Sequence, residues 1–344
     1  MESPVWIAGG EKRFATFLGS LNDADVIALI SHKADLDGII SAKVISQAIE
    51  PDLVRLVDYA ELNAALIEEL HRNKVTKIII SDLNFKRRED IFKLESFASL
   101  LIIDHHQFTE DFNSEKTVFM NAQGMCAAYL SYYLFSKEQD LKSLEWAVAC
   151  ASLSDWCWKA NQRFLSSVFV QYGEKFVAGD EEVKQGKFWE FQYQLYLALI
   201  YDKDRIINFY EVFPTKFGEL GSLAKNTREV QEEVDRALIA FDRDKKLIDN
   251  RYVWEFSGKF GVRELIINIR SHEHPTATFI IYILSKDFIK CSFRRQDRGE
   301  DVSILARELV KGFEESDGGG HKAAAGCLFP VCYLPEFLER LEKF

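Results

Sequence analysis

Three short stretches place acids and imidazoles directly after apolar runs. "LISHKADLDG" delivers His32, Asp35 and Asp37, "IIISDLN" delivers Asp82, and "LLIIDHHQF" delivers Asp104, His105 and His106. A fourth stretch, "ASLSDWC", ends a helical pattern on Asp155. Five carboxylates brought to one place repel one another, and burial adds a desolvation cost. A positive partner is required, and Lys33 is the lysine at hand in these turns. Divalent metal fits better. Mixed Asp/His ligation suits Mn²⁺ or Mg²⁺, with Zn²⁺, Co²⁺ or Fe²⁺ also compatible, and the absence of Cys from the candidate ligands argues against a thiolate zinc site. So many ligands imply two ions, which at a separation of about 3.5–4 Å clamp the attacking and leaving oxygens of a phosphoryl transfer.

The elements that must carry these residues alternate in period. "DVIALISH", "LVRLVDY", "KIIISDL" and "SLLIIDHH" read as strands, and "GIISAKVISQAI", "ELNAALIEELHRN" and "REDIFKLESFA" read as the helices between them. This alternation predicts an α/β fold with a doubly wound parallel sheet, whose ligands bind at the carboxyl ends of the strands. Two helices follow, "CAAYLSYYLFS" and "LEWAVACASLSDW". Residues 160–215 are rich in Phe, Tyr and Gln and read as helical, without a legible motif. "VFPTKFGELG" (212–221) marks a boundary, which divides the chain into 1–215 and 216–344. The second part opens with a charged amphipathic helix (222–249). Strand-like stretches follow, "YVWEFS", "ELIINI", "ATFIIYILS" and "FIKCSFRR". Then come a helix, "DVSILARELVKGF", and "DGGGHKAAAGC", read as a glycine-rich loop. The expectation is a smaller α+β domain, with the active site in the cleft between the two.

Composition limits the function classes. The 344 residues are 47% hydrophobic and 28% charged, ordinary for a globular protein, and no apolar stretch reaches the roughly 20 residues that span a bilayer. The start, "MESPVWIAGGEKRF", lacks a secretory pattern, and the six cysteines form no C-x-x-C pair. A cytoplasmic protein with reduced core thiols is expected. The net charge of −11, with basic residues only in loose clusters such as "FKRRED", argues against a long basic channel for nucleic acid.

Taken together, the motifs resemble the DHH phosphoesterases. The family's first motif is matched by His32, Asp35 and Asp37, its second by Asp82, its third by Asp104-His105-His106 and its fourth by Asp155. The family's C-terminal domain is matched by "GGGH" (Gly318, Gly319, Gly320, His321) and by Ser292 and Arg294 of "CSFRRQ". Where the family usually has Ser next, this chain has Arg295. The resemblance implies two Mn²⁺ ions, with Mg²⁺ or Co²⁺ as alternatives. One would be held by His32, Asp35 and Asp82, and the other by Asp37, Asp82, His105 and Asp155. Asp104 would orient a histidine and His106 would face the substrate. Ser292, Arg294, Arg295, Gly318, Gly319, Gly320 and His321 would grip phosphate.

Within that family the GGGH motif argues against pyrophosphatases, and the lack of membrane segments against sensory cyclic-dinucleotide enzymes. A manganese-dependent exonuclease or phosphodiesterase on short RNA or DNA oligonucleotides, or on single strands, is expected, with two metal ions activating water. The alternatives are an exonuclease on longer strands, working in DNA repair with a helicase or replication partner, and a catalytically idle binding module. A protein partner or a homodimer is compatible with either; no membrane is expected to be involved.

Overall fold

The computed structural model describes residues 1–85 and 88–344; Lys86 and Arg87 of the "FKRRED" cluster lie outside the described residues. Contacts divide the chain into two units, Met1–Thr227 and Arg228–Phe344. The division falls inside the long amphipathic helix Leu223–Asp244.

Unit one is built on five parallel strands: β1 (Ile27–His32), β2 (Leu53–Val57), β3 (Lys77–Ser81), β4 (Ser99–Asp104) and β5 (Thr117–Asn121). Their order is β2-β1-β3-β4-β5. The first four are those expected from the sequence; β5 completes the edge beyond β4. Strand residues are buried on both faces. Ala28, Ile30, Ile78, Ile80, Leu100 and Ile102 join a core with the helices Ala64–Arg72 and Arg88–Glu95. Leu29, Ile79, Leu101 and Ile103 point the other way, into a core shared with the helices Leu36–Ile49, Ala127–Phe135 and Glu145–Ser154. Period-2 alternation in strands that are apolar throughout is what a doubly wound sheet demands. The chain leaves β1 for β2 on one side and later enters β3 on the other. The order therefore reverses between β1 and β3, and the crevice at such a switch point is where ligands bind.

Much of 160–215 is helical, as expected. Gln162–Gln171 and Lys187–Asp202 join through stacked rings, with Phe169 and Phe188 4.1 Å apart.

Unit two is a mixed six-stranded sheet, β6 (Lys246–Ile248), β7 (Arg251–Glu255), β8 (Thr278–Leu284), β9 (Phe288–Arg294), β10 (Asp317–His321) and β11 (Ala324–Pro330), in the order β10-β11-β9-β8-β7-β6. Helices Val302–Val310 and Leu334–Lys343 cover one face. Two readings are corrected. "ELIINI" is not a strand but part of the helix Arg263–Glu273. Its buried residues Arg263, Ile266, Ile267 and Ser271 recur at helical spacing, which a short run of isoleucines conceals. The glycine-rich stretch is not a loop either: it is the edge strand β10, paired antiparallel with β11. Among the described residues, no helix is long and apolar enough to cross a membrane.

Candidate metal centre

Three of the candidate acids, Asp35, Asp37 and Asp104, are placed by contacts to backbone amides. Asp35 caps the helix Leu36–Ile49, its Oδ1 accepting from the Gly38 amide at 3.0 Å, which leaves Oδ2 3.0 Å from His32 Nδ1. Gly38 is required there, because a Cβ would lie 2.2 Å from the His32 carbonyl oxygen. Asp37, in the first turn of the same helix, accepts from the amides of Ala127 and Ala128 at 2.7 and 2.8 Å. It thus caps the helix Ala127–Phe135 from across the fold. Asp104 ends β4 and accepts at Oδ1 from the His105 and His106 amides, at 2.7 and 3.2 Å, and lies 2.7 Å from His106 Nδ1. Asn121, ending β5, donates to the His106 carbonyl at 2.9 Å. The Asp-His-His turn is therefore tied on both sides.

Asp82 stands at the middle. Its Oδ2 is 3.7 Å from His32 Nδ1, and its Oδ1 is 3.3 Å from His105 Nε2 and 3.9 Å from His106 Nδ1. His105 Nε2 is also 3.7 Å from Asp37 Oδ2, and its Nδ1 is 3.6 Å from Asp155 Oδ2. Asp82 is 1% exposed and adopts φ +57°, a left-handed conformation that an L-residue with a side chain avoids at a cost of about 1–2 kcal/mol.

The electrostatics point to a cation. Burial, reinforced by the charges of Asp82 and Asp155, raises the Asp37 carboxyl well above the usual range. Burial and the neighbouring Asp35 also raise Asp82, and burial raises Asp155. Burial alone would lower the His32 imidazolium, but Asp35 and Asp82 outweigh it and push it up to about 10. His105 is likewise raised, against burial, chiefly by Asp82. Protons thus do part of what a metal would do. Asp82 Oδ2 is buried and has no hydrogen-bond donor among the described residues, which is costly unless a cation satisfies it. The donor atoms of His32, Asp35 and Asp82 lie within 4.8 Å of one another, as do those of Asp82, Asp104, His105 and His106. This donor set fits divalent metal.

Two neighbours escaped the sequence reading. Asp58, the residue after β2, lies 3.3 Å from His32 Nε2. Its place at the end of "LVRLVDY" was the available signal. Cys157 Sγ donates to Asp155 Oδ2 at 2.9 Å, so a thiol does stand among the carboxylates, contrary to the expectation from the motifs.

In unit two, Ser292 and Arg294 come together. Ser292 Oγ donates to Glu264, Arg294 Nε donates to Asn268 at 2.9 Å, and Arg294 Nη2 lies 3.7 Å from Glu264 Oε2. Both residues face the helix Arg263–Glu273. Arg295, just past β9, instead holds Asp297 at 2.7 Å. Register places Gly319 opposite Gly326, which is itself opposite Ser292; His321 is likewise joined through Ala324 to Arg294. The glycines and His321 on β10 thus stand in register with Ser292 and Arg294 on β9, with β11 between them.

With this geometry in view, the comparisons are decisive for the family. Residues 26–153 match the DHH family, N-terminal domain, and residues 260–344 match the DHHA1 domain. The chain belongs to the DHH family. No curated protein compared with it matches in sequence. Among solved structures, this DHH chain is similar to RecJ from Thermus thermophilus in complex with Mn²⁺ (TM-score 0.67, 12% identity), covering 97% of this chain and 54% of that one. It thus spans about half the length of that protein. An exonuclease RecJ bound to manganese gives a TM-score of 0.66 at 13% identity, over 97% of this chain and 93% of that one. A pGpG-specific phosphodiesterase, PggH from Vibrio cholerae, gives 0.53 at 15% identity, over 92% and 98%. At such identities the likeness is one of fold.

Proposed function

We propose that this DHH-family chain is a divalent-metal-dependent phosphoesterase that hydrolyses short oligonucleotides or single-stranded nucleic acid. The observation that carries the reading is Asp82, one carboxylate facing His32 and His105 from opposite oxygens. Asp82 would contribute to both ion positions. His32, Asp35 and Asp82 would hold one, and Asp37, Asp82, His105 and Asp155 the other. When bound, two Mn²⁺ ions supply Lewis-acid polarisation of the phosphoryl group and a lowered pKa for the attacking water.

The protein's own groups do the rest. Asp104 holds His106 Nδ1 at 2.7 Å, so that Nε2 is the ring nitrogen left to donate toward a phosphoryl oxygen as charge develops. Ser292, Arg294, His321 and the amides around Gly318–Gly320 are the phosphate grip. The labour divides between 1–215, the metal chemistry, and 216–344, the substrate grip. Nucleic acid is the favoured substrate because exonucleases share the fold over nearly the whole chain.

The test is a time course on 5′-labelled RNA and DNA of about 2 to 20 nucleotides with Mn²⁺, Mg²⁺ or Co²⁺. Shortening of any strand that depends on metal and on Asp82 supports the reading. Digestion of the shortest only, or of 20-mers as well, separates a nano-RNase from a longer-strand exonuclease. No cleavage with any of the three metals overturns it.

A further inference from the structure

We propose that Cys157 is a sulfur ligand of this metal centre, and that His105, Asp155 and Cys157 form a position selective for thiophilic divalent cations such as Zn²⁺ or Co²⁺ over Mg²⁺. The proposal rests on the metal-centre reading above but assigns a donor outside its Asp/His set.

The argument begins at the end of the helix Glu145–Ser154. The Cys157 amide donates to the Ser152 carbonyl at 2.9 Å, and the Trp156 amide donates to Leu153 at 3.2 Å. This is the paired closure of a helix whose next residue turns left-handed, a place usually given to glycine. Here it is Trp156, at φ +56°. The left-handed turn folds the chain back between residues 155 and 157, so both side chains arrive on one side. Cys157 Sγ points at Asp155 Oδ2, 2.9 Å away. One donor atom each from His105, Asp155 and Cys157 lies within 4.8 Å of the other two.

A second sign of a cation comes from the same centre. Asp82, 1% exposed, faces His105 with Oδ1 at 3.3 Å, and its other oxygen, Oδ2, on the His32 side, has no donor among the described residues. The sulfur changes which cation the centre prefers. Thiolate and imidazole suit Zn²⁺ and Co²⁺, whereas Mg²⁺ wants oxygen donors and keeps its waters. Ligation forms one sulfur–metal bond, breaks the S–H bond and releases that proton to solvent, with no change of oxidation state.

Cobalt reads this directly. The metal-free full-length chain is titrated with Co²⁺ without oxygen, and absorption is recorded in the visible and near-ultraviolet. Visible d–d bands report Co²⁺ in the centre, and a near-ultraviolet sulfur-to-cobalt charge-transfer band reports the thiolate. Both are expected in the native chain. In Cys157→Ser the d–d bands remain, the charge-transfer band disappears, and the preference for Zn²⁺ over Mg²⁺ falls by about 10-fold or more. Cys126→Ser, nearby but uninvolved, leaves both. Native d–d bands without charge transfer overturn the sulfur ligand and leave the metal centre standing; no cobalt bands at all overturn both. The native spectrum alone decides the matter should a variant fail to fold.

Discussion

Asp58 Oδ1 lies 3.3 Å from His32 Nε2, while His32 Nδ1 faces Asp35 and Asp82. One ring nitrogen is thereby held by a carboxylate outside the cluster, and the other is aimed into it. Asp58 is itself fixed: its amide donates to Glu61, which pairs with Lys33 at 2.6 Å. Carboxylates that orient a metal-binding histidine are worth about 10–100-fold in metal affinity. Asp58→Ala should weaken Mn²⁺ binding by that range in calorimetry with little change in melting temperature, since the side chain is half-exposed. Unchanged affinity would show that Asp58 does not orient His32.

Asp82 combines a left-handed backbone with a buried, repelled carboxylate. Both burdens vanish in Asp82→Gly. Without metal, that variant should be more stable than the native chain by about 1 kcal/mol, and Mn²⁺ should no longer raise its melting temperature. A lower metal-free stability in denaturant titration would contradict this account.

The metal-free protein should lose stability as pH rises. His32, raised from 6.5 to about 10, contributes fully below pH 6.5, and that contribution is lost toward pH 10. Asp37, Asp82 and Asp155 are raised too, so their protonated forms favour the folded state and their contribution fades upward from about pH 3.8. Glu300 works in the opposite sense: against burial, Arg251 and Thr278 lower it, and its stabilisation is lost as pH falls below about 4.5. Melting temperatures with chelator should peak in mild acid and decline toward pH 10, and Mn²⁺ should flatten the decline. A level metal-free profile from pH 6.5 to 10, or one that His32→Ala leaves unaltered, would refute this.

The glycines of β10 differ in what they tolerate. Gly320 has φ +140°, and a Cβ there would lie 2.6 Å from the Ala324 carbonyl oxygen; a Cβ on Gly319 would meet nothing within 4 Å. Gly320→Ala should destabilise unit two by about 1–3 kcal/mol. Gly319→Ala should fold normally yet raise KM for an oligonucleotide, because a methyl group there keeps phosphate from the backbone. A normal KM in folded Gly319→Ala would remove β10 from the phosphate grip.

Arg294 and Arg295 should separate in the same assay. Arg294→Ala should raise KM about tenfold or more, in keeping with a charge-assisted contact. Arg295→Ala, whose guanidinium is engaged by Asp297, should change it less than twofold. The reverse ranking would reassign the grip.

Strand, helix and candidate-ligand positions in the first half were legible because each depends on neighbours in sequence. An apolar run followed by an acid places that acid at a strand end whatever the strand order. His32, Asp82 and Asp104 could therefore be read directly. The family motifs likewise marked Ser292, Arg294 and the glycines. What only the tertiary structure decided is which groups face one another. The reversal between β1 and β3 sets Asp82 between His32 and His105. The neighbouring β2 brings in Asp58, and a left-handed Trp156 turns Cys157 toward Asp155. Whether "ELIINI" became strand or helix, and whether the glycines became loop or edge strand, also depended on partners elsewhere in unit two. Propensity and spacing are local; pairing, facing and burial are long-range, and the chemistry of this centre belongs to the second kind.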